Sequence, residues 1–155
     1  MNNNTSPFVA VAPQRDYPTP MKRLFLAGGI SHCPDWHSEI ISLLSGCNNL
    51  TIFNPRRPNY PMDNPNESHI QIEWEYDHLK TADMIVVWFS KGSVNPIVLY
   101  ELGIWVNARP DIPAFIGIDP GYERADDVII QTKLTRPCLI IADSLSEIAR
   151  EIIDY

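Results

Sequence analysis

Two carboxylates fall where helical periodicity calls for apolar side chains. In the segment that begins at Pro96, Ile97, Ile104, Trp105 and Ala108 define an apolar stripe, and Glu101 lies on it, four residues after Ile97 and four before Trp105. In the preceding helical segment Ile70 and Trp74 mark an inner face, and Asp77 follows them at seven and three residues. An ionised carboxylate turned to a core costs several kcal/mol, or holds its proton to higher pH, unless a partner or a pocket receives it. Glu101 also lies near a helix N-terminus, which favours its anion. Both segments flank the apolar run at residues 84–89, so the two acids converge on that run's carboxyl end. Two carboxylates in different environments can divide nucleophile and general-acid roles. The competing reading pairs Glu101 with Arg56 or Arg109 and turns Asp77 to solvent, one position out of helix phase.

The elements that must hold these residues follow from pattern. Leu24-Phe25-Leu26-Ala27 is a continuous apolar run ending in Gly28-Gly29, as in a strand buried on both faces. Pro34 opens a helix with Trp36, Ile40, Leu43 and Leu44 on one face, and Gly46 stops it. Residues 50–53 form a second strand. Asn54-Pro55 then begins a loop that carries Arg56, Arg57 and Tyr60 and lasts to Glu67, where Ser68-x-x-Gln71 reads as a capping box. Residues 84–89 read as a central strand and 91–95 as a turn, with Asn95 as N-cap and Pro96 as first residue of a helix to about Ala108. Residues 113–118 and 138–141 supply the fourth and fifth strands, and Ser144-x-x-Glu147 caps a last helix bearing Leu145, Ile148 and Ile152.

This alternation predicts an α/β chain: a doubly wound, flavodoxin-like sandwich with a five-stranded, mainly parallel sheet and helices on both faces. Ligands of such sheets bind beyond the carboxyl ends of the strands, near a switch in strand order, which directs attention to residues 28–33, 54–66 and 92–95. Residues 1–20, with Pro7, Pro13, Pro18 and Pro20, read as an extended arm suited to packing across a neighbouring subunit, and residues 21–155 as a single domain.

Composition narrows the functions. A chain of 155 residues fits one domain and buries enough surface to fold without a staple. Twelve Lys and Arg against nineteen Asp and Glu, a net charge of −7, leave no electrostatic footprint for a nucleic-acid polymer. Cys33, Cys47 and Cys138 form neither an even disulfide framework nor a C-x-x-C pair, so free thiols and a cytoplasmic address are expected. No apolar stretch reaches the ~20 residues of a membrane span, and no basic region precedes an apolar leader. His32, His37, His69 and His78 lack metal-ligand spacing, so no metal site is expected.

Glu101-Leu102-Gly103 preceded by Ser93-Val94-Asn95, Asp77 on the previous helix and the glycine-bearing run 24–29 together resemble the nucleoside 2-deoxyribosyltransferase family over residues 23 to about 130. Asn54-Pro55-Arg56-Arg57 after the second strand is similar to a separate branch of that superfamily. The resemblance implies that Glu101 is the nucleophile and that Asp77 exchanges a proton with the nucleobase. It further implies a covalent deoxyribosyl-enzyme, retention at the anomeric carbon, and no metal or organic cofactor. The small molecules would be a 2′-deoxynucleoside and a free nucleobase. Homo-oligomers with shared active sites are implied too, a neighbour contributing the segment 124–131, in which Asp127 is the nominated residue.

Around the nucleophile the resemblance assigns substrate contacts to Phe25, Gly29, Ser31 and Asn95. Phe25 stands where other members carry a tyrosine that touches the nucleophile, and Asn95 where they carry an aspartate that touches the sugar. Asn95 is equally well read as a plain helix cap, and Gly28-Gly29 as a purely conformational pair. Ser31 and Ser93 could receive a 5′-phosphate or simply end turns. Trp36 and Trp88 are read as core residues, and Arg56 and Arg57 as part of a lid or as a solvated loop. Two rival functions remain at this level: hydrolysis of the N-glycosidic bond of a nucleoside or its 5′-monophosphate, and a non-catalytic nucleotide-binding module.

Overall fold

In the computed structural model, which describes residues 6–19 and 21–155, the strands are β1 (Phe8–Val11), β2 (Lys22–Gly28), β3 (Leu50–Asn54), β4 (Met84–Phe89), β5 (Ala114–Ile118) and β6 (Ile141–Ala142). The helices are α1 (Trp36–Leu43), α2 (Glu67–Thr81), α3 (Pro96–Glu101), α4 (Ala125–Thr135) and α5 (Leu145–Asp154), with a π-helical segment, Leu102–Asn107, continuing α3. All strands pair in parallel in the order β1-β3-β2-β4-β5-β6. Strand order reverses at β2, which has β3 on one side and β4 on the other, so the loops after β2 and β4 diverge there and leave a crevice. This is the expected doubly wound sandwich, with one strand more than the five predicted.

Period-two alternation distributes the core. Phe25, Phe53, Ile85 and Val87 point to one side, where Trp74, Leu79, Val98, Leu102 and Val128 cover them. Leu24, Leu26, Ile52 and Val86 point to the other, against Trp36, Ile40, Leu145 and Ile148. Among the described residues no helix is long and apolar enough to cross a membrane.

The additional strand comes from the arm. Phe8-Val9-Ala10-Val11 pairs with β3 at the sheet edge, where flanking prolines remove no ladder hydrogen bond. Residues 14–17 then fold onto their own domain: the Gln14 carbonyl accepts from Trp74 Nε1 at 2.7 Å, and the Tyr17 ring stands edge-on to Phe53 at 5.0 Å. The described part of the arm is thus a component of its own sheet. Residues 1–5 and Pro20 of that arm lie outside the described residues.

Other boundaries shift for local reasons. Asp35 caps α1 by accepting from the Ser38 amide at 3.1 Å. The capping box at Ser68 does not form, because α2 starts at Glu67 and the Gln71 side chain is used inside the molecule. At Ser144 the N-cap half of the box forms, its hydroxyl accepting from the Glu147 amide at 3.3 Å, while Glu147 Oε2 accepts at 3.2 Å from the amide of Asp143, one residue before the cap. The last strand is only Ile141–Ala142, with Cys138 and Ile140 exposed.

The largest correction concerns the helix after Pro96. Its buried residues are Val98, Leu102 and Val106, while Ile97 is 63% exposed and Ile104 and Ala108 face outward. At 3.6 residues per turn a four-residue step overshoots by roughly 40°. The π segment absorbs that overshoot, as the Ala108 amide donating to the Gly103 carbonyl at 3.2 Å shows.

Strand β2 ends against two tryptophans. A Cβ built on Gly28 would lie 2.3 Å from the Trp36 ring and 2.8 Å from the Trp88 carbonyl oxygen. Gly28→Ala is therefore expected to cost about 1–3 kcal/mol in chemical denaturation. Gly46→Ala, where a Cβ meets nothing within 4 Å, should stay within about 0.5 kcal/mol of the parent.

Candidate active site

The crevice at the β2/β4 switch opens into a cavity of about 250 Å³. Its walls are the end of β2 with the following turn to Ser31, Pro55 after β3, Glu75 of α2, and the stretch from Ser93 to Val98 with Glu101. Helix α3 brings Glu101 inward because it lies three residues after buried Val98 and one before buried Leu102. Glu75 arrives from α2, between buried Trp74 and Leu79 and one turn beyond Gln71.

Neither carboxylate has a cation partner among the described residues, and no Lys, Arg or His lines the cavity. Arg56 donates to the Pro34 and Cys33 carbonyls at 3.0 and 3.3 Å, and Arg109 to the Leu79 carbonyl at 3.1 Å, so neither pairs with Glu101. Arg57 forms a largely buried ion pair with Glu67 at 2.7 Å. The two loop arginines are therefore staples, one to the turn after β2 and one to the start of α2.

Burial pushes the Glu101 carboxyl up to about 8, and the charge of Glu75 adds to it. Glu75 is also raised by burial, but the Gln71 amide, donating to Glu75 Oε1 at 2.8 Å, pulls it back. The pair therefore holds a proton through neutral pH, with the anionic form favoured on Glu75.

Asp77 is placed elsewhere. It is half exposed on α2 and pairs with Arg15 at 2.7 Å, and it does not reach the cavity. The expected inner face relied on Ile70, which is 37% exposed; the buried residues of α2 are Trp74, His78 and Leu79. That phase carries Glu75 inward, and the signal that could have found it is the set Gln71, Trp74, Glu75, His78 and Leu79 at helical spacing.

Asn95 is buried and in the left-handed region, at φ 52° and ψ 52°. It does not cap α3 with its side chain. Its Nδ2 donates to the Ser90 and Ser93 carbonyls at 3.0 and 2.9 Å, which consumes both donors, and its Oδ1 accepts from Cys33 Sγ at 3.6 Å. Gly29 is the counterpart of that packing, since a Cβ there would lie 2.1 Å from Asn95 Oδ1 and 2.5 Å from Cys33 Sγ. Phe25 lines the cavity with an apolar ring, and Ser31 stands exposed at its mouth.

Asp127 belongs to a separate depression of about 430 Å³ between α3 with its π segment and α4, where it lies 3.6 Å from Arg124. Among the described residues no cluster of His, Cys, Asp and Glu is arranged to hold a metal.

The Glu101 shift fixes a pH dependence of stability. The folded chain holds a proton that the unfolded chain, with the ordinary value of 4.5, has released, so this contribution is present below 4.5 and is lost as pH rises through about 8. His37, buried and pushed down from 6.5 to about 3, acts in the opposite sense, but only below 6.5. Between pH 6.5 and 8 the melting temperature of the free protein should fall by on the order of 3 °C, as calorimetry would read it. Glu101→Gln should flatten that slope.

A search of curated proteins returned no match. The sequence profile of the family described as nucleoside 2-deoxyribosyltransferase like matches residues 21–122, which covers β2 through the start of the β5–α4 connection and contains both Glu75 and Glu101. The chain belongs to the nucleoside 2-deoxyribosyltransferase-like family.

Proposed function

We propose that this protein transfers 2-deoxyribose between nucleobases of 2′-deoxynucleosides through a covalent intermediate on Glu101, with retention. The observation that carries the reading is the presence of Glu75 and Glu101, both unpaired with cations, in one cavity at the strand-order switch. In the first step a Glu101 carboxylate oxygen attacks the anomeric carbon, the N-glycosidic bond breaks, and the departing base nitrogen takes a proton from Glu75. In the second step the incoming base gives a proton to Glu75 while its nitrogen attacks the same carbon and releases Glu101. In this reading Glu75 takes the proton-exchange role that the family resemblance implied for Asp77.

Electrostatics support this division. The pair holds one proton between its two carboxyls; positive charge developing on the sugar beside Glu101 favours the ionised nucleophile and leaves that proton to Glu75 or the base. Phe25 offers the nucleophile an apolar ring and no hydroxyl. The missing cation disfavours a 5′-monophosphate against the neutral nucleoside, because a phosphate would enter a cavity that already carries acid groups. A partner subunit that closes the cavity with the α4 segment around Asp127 is part of the same proposal.

Incubation with 2′-deoxyinosine and adenine, followed by chromatography, tests the reaction. Deoxyadenosine should appear, whereas hypoxanthine with free deoxyribose and no acceptor product would make the protein a hydrolase. Glu101→Gln should lower turnover roughly 10³-fold or more with the fold retained, and Glu75→Gln roughly 10²- to 10⁴-fold. Asp77→Asn, which removes only an exposed ion pair, should stay within about twofold of the parent.

A further inference from the structure

Among the described residues Gln71 is the side chain that hydrogen-bonds Glu75, and it does not itself line the cavity. Its Nε2 donates at 2.8 Å to Glu75 Oε1 and at 2.8 Å to the Pro55 carbonyl. We propose that Gln71 is the positioning residue of the site: by bridging the Pro55 carbonyl and Glu75 Oε1 it commits Oε1 as an acceptor and leaves Glu75 Oε2 as the atom that exchanges a proton with the nucleobase. The proposal rests on the deoxyribosyl-transfer reading and names the atom that reading leaves open.

The orientation of the amide follows from its partners. The Pro55 carbonyl is acceptor-only, so the NH₂ group must face it; turning the amide over would set Oε1 against two acceptor oxygens. With one proton of the NH₂ on each oxygen, Oε1 of Glu75 already receives a donor, and a proton carried by Glu75 belongs on Oε2. The one-turn spacing of Gln71 and Glu75 on α2 supplies the reach, and Pro55 itself lines the cavity, so the amide also ties the loop after β3 to the acid.

The arrangement sacrifices something. Gln71 Oε1 is buried with no hydrogen-bond partner among the described residues. An amide present only for packing would satisfy both ends, or be replaced by an apolar chain of the same shape at little cost. Retaining the bridge while orphaning its own acceptor is the pattern of a residue held for function.

The groups that share this cavity with Glu75 are few. From α3 comes Glu101, the other titratable side chain; Phe25 of β2, Gly29 and Ser31 of the turn after it, Ser93 and Asn95 of the turn before α3, and Pro55 after β3 carry no charge. The Gln71 donor favours the Glu75 anion, so its loss raises the Glu75 carboxyl.

The test uses Gln71→Met, which keeps length and removes the donors, in full-length protein carrying ¹³C-labelled glutamate carboxyls, with Glu75 and Glu101 resonances assigned from Glu75→Gln and Glu101→Gln. Glu75 should titrate higher than in the parent, because the donor that favours its anion is gone. The limb of kcat/KM that falls with rising pH should move up with it, and kcat should drop about 10- to 100-fold while KM changes little. Gln71→Asn keeps an amide, shortens its reach and carries the same expectation if the methionine variant does not fold. An unchanged Glu75 titration and kcat, with only a lower melting temperature, would reduce Gln71 to a packing residue and overturn the proposal. Parent protein that neither transfers nor hydrolyses would remove the deoxyribosyl-transfer reading, and the titration alone would then decide whether Gln71 governs Glu75.

Discussion

Two carboxylates that repel each other when both are ionised share one small cavity without a compensating cation. Such a pair is tolerated only if it retains a proton, and a proton retained near neutral pH is the requirement for acid-base work at that pH. Much of the local architecture is arranged around this constraint. The arginines nearest in sequence are engaged elsewhere: Arg56 on backbone carbonyls, Arg57 on Glu67, Arg109 on the Leu79 carbonyl near the end of α2. Had any of them turned toward Glu101, an ordinary ion pair would have lowered its pKa and removed its proton at neutral pH.

Backbone packing fixes where the pair meets. The parallel sheet, buried on both faces, leaves only the ends of its strands to carry chemistry, and reversal of strand order at β2 opens the crevice at one point. Two glycines at the end of β2 let the walls close on that point. Gly28 admits the Trp36 ring and Gly29 admits the Asn95 amide and the Cys33 thiol, so each wall comes nearer than a Cβ would allow. Asn95 then holds the turn after β4 from within, its left-handed backbone tolerated because Asn populates that region more readily than most residues. The side chain expected to touch sugar spends its donors on the loop that presents α3.

The fold was legible because its strands are continuous apolar runs between turn signals, and Glu101 was legible because a carboxylate among apolar residues is conspicuous at any nearby phase. Strand β1 was not, because four apolar residues between prolines look like an arm until β3 offers an edge to pair with. Glu75 was hidden by Ile70, an exposed isoleucine that shifted the apparent face of α2, and by Asp77, because the two residues that separate it from Glu75 amount to roughly 200° around the helix and reverse inside and outside. From sequence Gln71 reads as the partner of Ser68 in a capping box, a local pattern, whereas its actual partners are its own helix and a loop 16 residues away.

The π segment after Glu101 shows why phase errors matter most near the site. An α-helix carrying Val98, Leu102 and Val106 into one core would rotate each successive residue away from the sheet. The i→i+5 bond at Gly103 removes that drift, and Gly103, with no Cβ contact within 4 Å, leaves the backbone free to widen there. Glu101 is the last residue before the widening, so its orientation is set by α3 from one side and by the anchored Leu102 and Val106 from the other. A regular helix would have to choose between burying those two residues and aiming Glu101 at the cavity. The local irregularity satisfies both demands, and it is the feature that simple 3.6-residue periodicity has no means of anticipating.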